Sequence, residues 1–426
     1  MLALAVAVAV VLPACSPDDI PLGEPVAPAS DPAPQARDAA DADGASEALA
    51  PRRRARGLWV LAEGSYRVLD DPARIGPLID RAERLDATDL FVQVYRGGRA
   101  FYRGPDFVER APSVDDQGPD VLAMLIEAAH RRGLRVHAWV NVLSLSTRRD
   151  ARMIEDLGPG IVLVDRRGRS LLDYPDYELP EPDRTYYRMG TRGLYLDPAV
   201  PAVRERTLAT FVDLVTRYPG LDGLHLDYIR HPGVLPFVPG SRFGVGIDFG
   251  YGAESRALYR AETGNPDPIE GAAPGVVRGA HAWDAWQRAQ VTRLVEAIAA
   301  QTRAARPGLV LSAAVIAYVE RAYLSLAQDW RAWLESGALD LAMPMAYTLD
   351  DRLLGYQLET FAGWPYGDRI WPGLGTWLFD SNPARALGQI ERLREHPFPG
   401  EMLFSDDAIA ESPALVEALS ARPTRP

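Results

Sequence analysis

From Gly57 to the C-terminal end, short apolar runs alternate with amphipathic stretches, and this happens eight times. Apolar runs too short for a helix, each followed by a 3.6-residue period, are the pattern of repeated βα units, in which every helix carries the chain back across a parallel sheet. Eight such units leave no unpaired strand, so the fold expected is α/β, a (β/α)8 TIM barrel. The strands expected are Leu58–Ala62, Asp89–Tyr95, Arg135–Val142, Gly223–Ile229, Val310–Ala317, Leu339–Tyr347, Arg369–Trp377 and Glu401–Ser405. Helical periodicity follows them, for instance over Asp120–Arg132, Pro201–Tyr218, Trp283–Arg306 and Pro383–Arg394. Two stretches interrupt the rhythm, residues 144–196 after the third strand and 231–280 after the fourth. Both follow strand C-termini, where barrel enzymes build their clefts, and both are rich in Tyr, Pro, Gly and charge, as expected of cleft walls.

The chain of 426 residues is 47% hydrophobic, enough to bury a full core within one barrel domain. Its net charge of −12 argues against nucleic acid or an anionic membrane surface as partner, because polyanions need a basic face. An uncharged or weakly cationic substrate fits that balance better. The sequence contains no lysine, which excludes Schiff-base, Ser-Lys and P-loop chemistry. A single cysteine, Cys15, excludes a disulfide framework and a thiolate zinc site.

Residues 2–14 form an apolar run, and Leu12-Pro13-Ala14-Cys15 resembles the lipobox of bacterial lipoproteins. That resemblance implies a signal peptide over residues 1–15, with Cys15 lipidated and becoming the first residue after cleavage. Ser16 after it, in place of Asp, fits an outer membrane facing the periplasm of a Gram-negative cell. Residues 16–54 are rich in Pro, Ala and Asp and read as a disordered tether, since they have too little apolar surface to offset chain entropy. Residues 55–426 are expected to form the barrel. Membrane contact is expected only through the lipid at Cys15, because no second apolar stretch is long enough to span a bilayer.

The fourth strand carries the strongest chemical signal. In Leu224-His225-Leu226-Asp227 the period of two turns both leucines toward the helices and both His225 and Asp227 toward the barrel axis. A carboxylate forced there is costly unless it has partners or a task. The whole segment from Gly57 onward resembles the divergent glycosyl hydrolase-like 10 family. The resemblance rests on Arg56-Gly57-Leu58-Trp59, Phe91-Val92-Gln93-Val94-Tyr95, the run His130 to Asn141, Tyr195-Leu196-Asp197-Pro198, Asp222 to Arg230, and Met343-Pro344-Met345-Ala346-Tyr347. It implies a bacterial barrel glycosidase, often a lipoprotein, acting on peptidoglycan glycan strands that lack stem peptides, with Asp227 as the catalytic carboxylate. One departure stands out: Tyr228 follows Asp227 where many family members carry a second acid. Chitinase-like barrels read Asp-Gly-x-Asp-x-Asp-x-Glu on this strand. Here His225 replaces the middle Asp and Ile229 the final Glu, which argues against their substrate-assisted mechanism in its usual form.

Glycoside cleavage commonly uses two carboxyl groups. Glu320, just beyond the fifth strand, is the first candidate partner for Asp227, with Glu63, Asp350, Asp406 and Asp407 as others. Sugars need flat apolar faces and hydrogen-bonding groups, so Gln93, Tyr95, Arg96, Trp139, Asn141, His225, Arg230, Tyr347, Trp377 and Asp407 are the candidate substrate contacts. His137, which shares the parity of Trp139 and Asn141, His225 and Asp227 are too few for a metal-dependent hydrolase such as a deacetylase, with no His-x-His after the first strand and no lysine to bridge two metals, so neither metal nor other cofactor is expected. The expected activity is hydrolysis of an envelope polysaccharide, with a non-catalytic glycan-binding lipoprotein as the alternative reading.

Overall fold

A computed structural model describes residues 54–237, 248–273 and 276–420. The apolar leader, Cys15, all but the last residue of the tether, and part of the second insertion lie outside the described residues. Eight parallel strands close into a barrel: β1 Ala55–Val60, β2 Asp89–Arg96, β3 Arg135–Asn141, β4 Gly223–Asp227, β5 Val310–Ile316, β6 Leu341–Met345, β7 Gly373–Gly375 and β8 Gly400–Phe404. Each pairs with the next, and β8 pairs back onto β1. The helices that return the chain are α1 Ile75–Arg84, α2 Val121–Arg131, α3 Pro201–Arg217, α4 Ala280–Ala305, α5 Trp330–Glu335, α6 Asp351–Ala362 and α7 Pro383–Arg394, with α8 Pro413–Ser420 closing the chain. None of the described helices is long and apolar enough to cross a membrane.

All eight expected strands are present, and the differences at their ends have local causes. The first begins at Ala55 because Ala55–Trp59 pair with Gly400–Phe404. The seventh shrinks from Arg369–Trp377 to three residues. Pro372 has no N–H for the ladder, Ile370 makes only an isolated bridge to Ala342, and a 3-10 turn starts at Thr376. Helix α2 begins where Asp120 accepts a hydrogen bond from the Ala123 amide at 3.1 Å, and α3 begins with Pro201 at its first position.

The period of two sorts the strands into two apolar layers. Leu90, Val92, Val136, Ala138, Leu224, Leu226, Leu311 and Ala313 join the cluster between sheet and helices. Trp59, Phe91, Trp139, Ala314, Met343 and Met402 fill the barrel itself. Burying each large side chain contributes about 1.5–3 kcal/mol, so a one-residue slip of any strand would exchange the layers at prohibitive cost.

The two insertions are built against each other. Residues Tyr187–Met189 of the first pair antiparallel with Val234–Pro236 of the second, and Asp165 bridges to Phe249. Asp197, fully buried, accepts from Ser255 Oγ at 2.6 Å and from the Ala199 amide at 3.0 Å, joining the end of the first insertion to helix Ala253–Thr263 of the second. Burial pushes its carboxyl up to about 6, against the hydrogen bonds from Ser255 and Ala199. A carboxyl raised in the folded state is ionised at the expense of stability, so its cost is absent below about pH 4 and complete above about pH 6. The prediction is that urea unfolding of the parent loses about 3 kcal/mol more than Asp197→Asn between pH 4 and pH 7. Identical slopes for the two proteins over that range would refute it.

Candidate active site

The C-terminal ends of the strands surround a cavity of about 350 Å³. Registry puts its central layer in place: Gln93 lies beside Trp139, Trp139 beside His225, and Asn141 beside Asp227. Asp227 is buried at the floor. Its Oδ2 accepts from the Trp139 indole N–H at 3.2 Å and its Oδ1 from the Tyr228 amide at 2.6 Å, while Arg230 Nη1 stands 3.8 Å from Oδ1. Burial raises the Asp227 carboxyl above its ordinary range. The Arg230 charge and the two hydrogen bonds oppose that shift without cancelling it. Asp227 is the one carboxylate among the described residues that line the cavity.

Tyr228, whose amide makes this bond, leaves the strand in the left-handed region, at φ 51°. A bulky residue held there stores strain, a feature that concentrates at functional sites. Its ring lies under the Arg230 guanidinium, 4.5 Å from the centroid. Arg230 Nη1 is itself buried and without a hydrogen-bond partner among the described residues, so a donor remains free beside Asp227.

Gln93 and Asn141 line the cavity and are joined, Gln93 Nε2 donating to Asn141 Oδ1 at 3.2 Å. The Gln93 oxygen in turn accepts from the Ala62 amide, which leaves the Asn141 amide group as the donor the pair can offer a ligand. Trp139, Arg96, Arg230 and Tyr347 also line the cavity. Trp377, 41% exposed, stands edge-on to Tyr347 at 4.8 Å and to Phe404 at 5.4 Å, at the rim. Gly373 and Gly375 make this packing possible: a Cβ at Gly373 would come within 2.7 Å of the Trp59 ring, and one at Gly375 within 2.5 Å of Trp377.

Several expected contacts stand elsewhere. Tyr95 turns outward, because a bulge between Gln93 and Tyr95 reverses the parity of β2; its ring packs edge-on against Phe211 of α3, and Arg96 takes the inward position instead. His225 has no exposed surface and lies in the layer below the cavity. Its Nε2 accepts from the Trp59 indole at 3.0 Å, so Nδ1 carries the hydrogen and donates to Ser312 Oγ at 2.9 Å. Burial and nearby His137 hold the ring well below its ordinary range, hence neutral. Asp407 accepts from the Leu61 and Tyr66 amides and pins the loop after β1, while Asp406 forms a two-pronged pair with Arg81 at 2.7 and 2.6 Å. Asp350 is exposed and caps α6. Glu320 is exposed in the first turn of helix Val319–Ser325, outside the cavity lining. Glu63 adjoins the cavity through Arg96, whose Nε lies 3.3 Å from its Oε2.

Other lining residues carry little sequence signal. Ser144, Ser146 and Thr147 open the first insertion, and Thr191 and Arg192 enter from its far end. Phe404, last in β8, and Trp59 are apolar strand residues that nothing local distinguishes from core. His137 is committed to Asp89 at 2.8 Å, and no group of three His, Cys, Asp or Glu side chains among the described residues is arranged for a metal ion.

The sequence profile of the glycosyl hydrolase-like 10 family matches residues 54–359. The chain belongs to that family. The chain is similar to the glycosyl hydrolase DigH of Escherichia coli K12, 24% identical over 63% of this chain and 56% of the relative. With the glycosyl hydrolase YngK of Bacillus subtilis the figures are 22%, 69% and 54%. The chain thus spans about half the length of these relatives. Among solved structures it resembles the glycoside hydrolase domain of PgaB from Bordetella bronchiseptica, with a TM-score of 0.60 and 17% identity over 86% of this chain and 98% of that one. A β-galactosidase from Marinomonas gives 0.56, with 12% identity over 86% and 58%. At these identities the structures speak to the fold alone, a (β/α)8 barrel.

In this member of the family Arg230 supplies the largest force acting against the raised carboxyl of Asp227. Arg230→Met should therefore move the Asp227 titration midpoint upward, read by carboxyl ¹³C NMR with Asp227→Asn used to assign the resonance. A midpoint that stays or falls would show that the guanidinium does not act on this carboxyl.

Proposed function

We propose that this barrel hydrolyses glycosidic bonds in an envelope polysaccharide, the glycan strands of peptidoglycan in particular, with Asp227 as the acid. The observation that carries the proposal is a single buried carboxyl, raised by desolvation, at the floor of a cavity that joins aromatic faces to unengaged donors. A raised carboxyl holds its proton nearer neutral pH, as an acid must in order to deliver it to a leaving oxygen. The Asp227 proton passes to the glycosidic oxygen as the bond to the anomeric carbon breaks, and the ionised Asp227 is met by Trp139, Tyr228 and Arg230.

The anomeric carbon needs a second group. Glu320 stands outside the cavity lining, and the carboxylate that adjoins it is Glu63, held by Arg96. Glu63 takes that role in this proposal, as base toward water or as nucleophile, and the anomeric configuration of the product separates the two. Ring stacking on Tyr347 and Trp377, with hydrogen bonds from Asn141 and Arg230, holds the sugar. Lipidation at Cys15 would anchor the protein to the outer membrane facing the periplasm, where glycan strands are within reach of the tether.

The test is product release from purified glycan strands with and without stem peptides, followed by mass spectrometry. Asp227→Asn is expected to lose about 10²–10⁴-fold in rate, Glu63→Gln at least about tenfold, and Glu320→Gln no more than about twofold. Full activity in Asp227→Asn would end the proposal. Binding without cleavage by the parent would favour the glycan-binding reading, which the lone lining carboxylate also suits.

A further inference from the structure

A second cavity, of about 400 Å³, opens beside the first. Residues following β4, the first turns of α4 and the end of helix Val319–Ser325 form its walls. Consecutive residues face the two cavities, Arg230 the first and His231 the second.

Arg288 lines this second cavity from α4 and is only 7% exposed. Its guanidinium lies 4.1 Å over the Tyr323 ring, and Nη1 makes one long hydrogen bond of 3.5 Å to the Tyr323 carbonyl. No carboxylate among the described residues forms an ion pair with it. Arg321, half-buried, likewise has, among the described residues, a single hydrogen bond, of 3.5 Å to the Val234 carbonyl. The carboxylates that do line the cavity are otherwise disposed. Asp248 is held by Arg166 at 2.7 Å and by the Tyr251 hydroxyl at 2.7 Å. Asp284, one turn before Arg288, has its carboxyl raised by burial and by Asp248 against the charge of Arg288, so it opposes an incoming anion less, and answers Arg288 less, than a free carboxylate would. His231 Nε2 and Gln287 Oε1 are buried without hydrogen-bond partners among the described residues. A buried guanidinium that no carboxylate engages in an ion pair is costly, and a ligand that supplies a closer counter-charge offsets that cost.

We infer that this cavity is an anion subsite, in which Arg288 and Arg321 take the carboxylate of an acidic sugar belonging to the same glycan whose glycosidic bond lies at Asp227. The inference rests on the glycosidase reading. His231 and Gln287 offer unsatisfied polar atoms to sugar hydroxyls, and Tyr323 and Leu324, 40% and 70% exposed, give the rim apolar surface for sugar C–H groups. The chain's net charge of −12 does not oppose this, because recognition at a desolvated pair is set within a few ångströms and distant surface charge is screened by salt.

Calorimetry on the full chain carrying Asp227→Asn tests the inference, with an oligosaccharide alternating neutral and carboxylated sugars, its carboxyl-reduced counterpart, and the free carboxylated monosaccharide as probes. The carboxylated oligosaccharide is expected to bind about tenfold or more tightly than the reduced one. Adding Arg288→Met or Arg321→Gln should erase that preference; Arg321 is half-exposed, so its variant answers even if Arg288→Met fails to fold. Equal affinity for the two oligosaccharides, or a preference untouched by Arg321→Gln, would overturn the subsite. Binding of the free monosaccharide as tight as that of the oligosaccharide would also overturn it, in favour of an independent small-acid site. Cleavage by the parent chain is read separately, so charge-dependent binding without cleavage would sink the glycosidase reading and leave the anion site standing.

Discussion

The burial of one carboxyl organises this end of the barrel. Asp227 faces the axis because β4 alternates, and the axis is dry because Trp59, Phe91, Trp139 and Met402 fill it. An ionised group in such surroundings costs several kcal/mol unless it is met by donors. The fold meets it with an indole N–H, a backbone amide and a nearby guanidinium, and burial still prevails. The polar layer below contributes indirectly. His225 joins Trp59 to Ser312, a neutral bridge that fixes the tryptophan without placing another charge near Asp227. Gly373 then allows that indole to lie against the β7 backbone.

The barrel was legible because its information is local and periodic: each strand is a short apolar run, each helix a 3.6-residue stripe, and eight units admit one closure. Asp227, Trp139, Asn141 and Gln93 were legible for the same reason, as inward residues at strand ends. Tyr95 marks where that reasoning stops, since a single bulge inverts parity and no residue type in Gln93-Val94-Tyr95-Arg96 signals it. Asp407 and Asp406 show a second boundary: strand-end position selects acids that meet a ligand and acids that tie loops alike, and only their partners tell them apart. Thr191 and Arg192 reach the cavity through a long excursion whose return path depends on pairing between two insertions, contacts of high sequence separation that no local pattern encodes.

Charge gives a related lesson. A chain with net charge −12 nonetheless lines its cavity with Arg96, Arg192 and Arg230 and one carboxylate. Two of these arginines are engaged by acids at the margin, Arg96 by Glu63 and Arg192 by Glu178. Arg230 alone keeps a buried nitrogen without a hydrogen-bond partner among the described residues. The local field at Asp227 therefore depends on which arginines retain their partners, a quantity invisible to composition.

Tyr228 decides how that field is used. Its amide donates to Asp227 Oδ1, its backbone turns out of the strand in the left-handed region, and its ring supports the Arg230 guanidinium from below. An acid in its place, as the family resemblance implies for many members, would draw the Arg230 charge into an ion pair of its own and away from Asp227. A phenol under the guanidinium holds it by cation–π attraction, which neutralises nothing. With tyrosine at this position the cavity lining holds one carboxylate among the described residues, and the Arg230 charge is directed to it. The consequence is a one-carboxylate floor in which Asp227 is opposed by desolvation and favoured by Arg230 alone among charged groups, and any second carboxylate must come from the rim, where Glu63 stands beside Arg96.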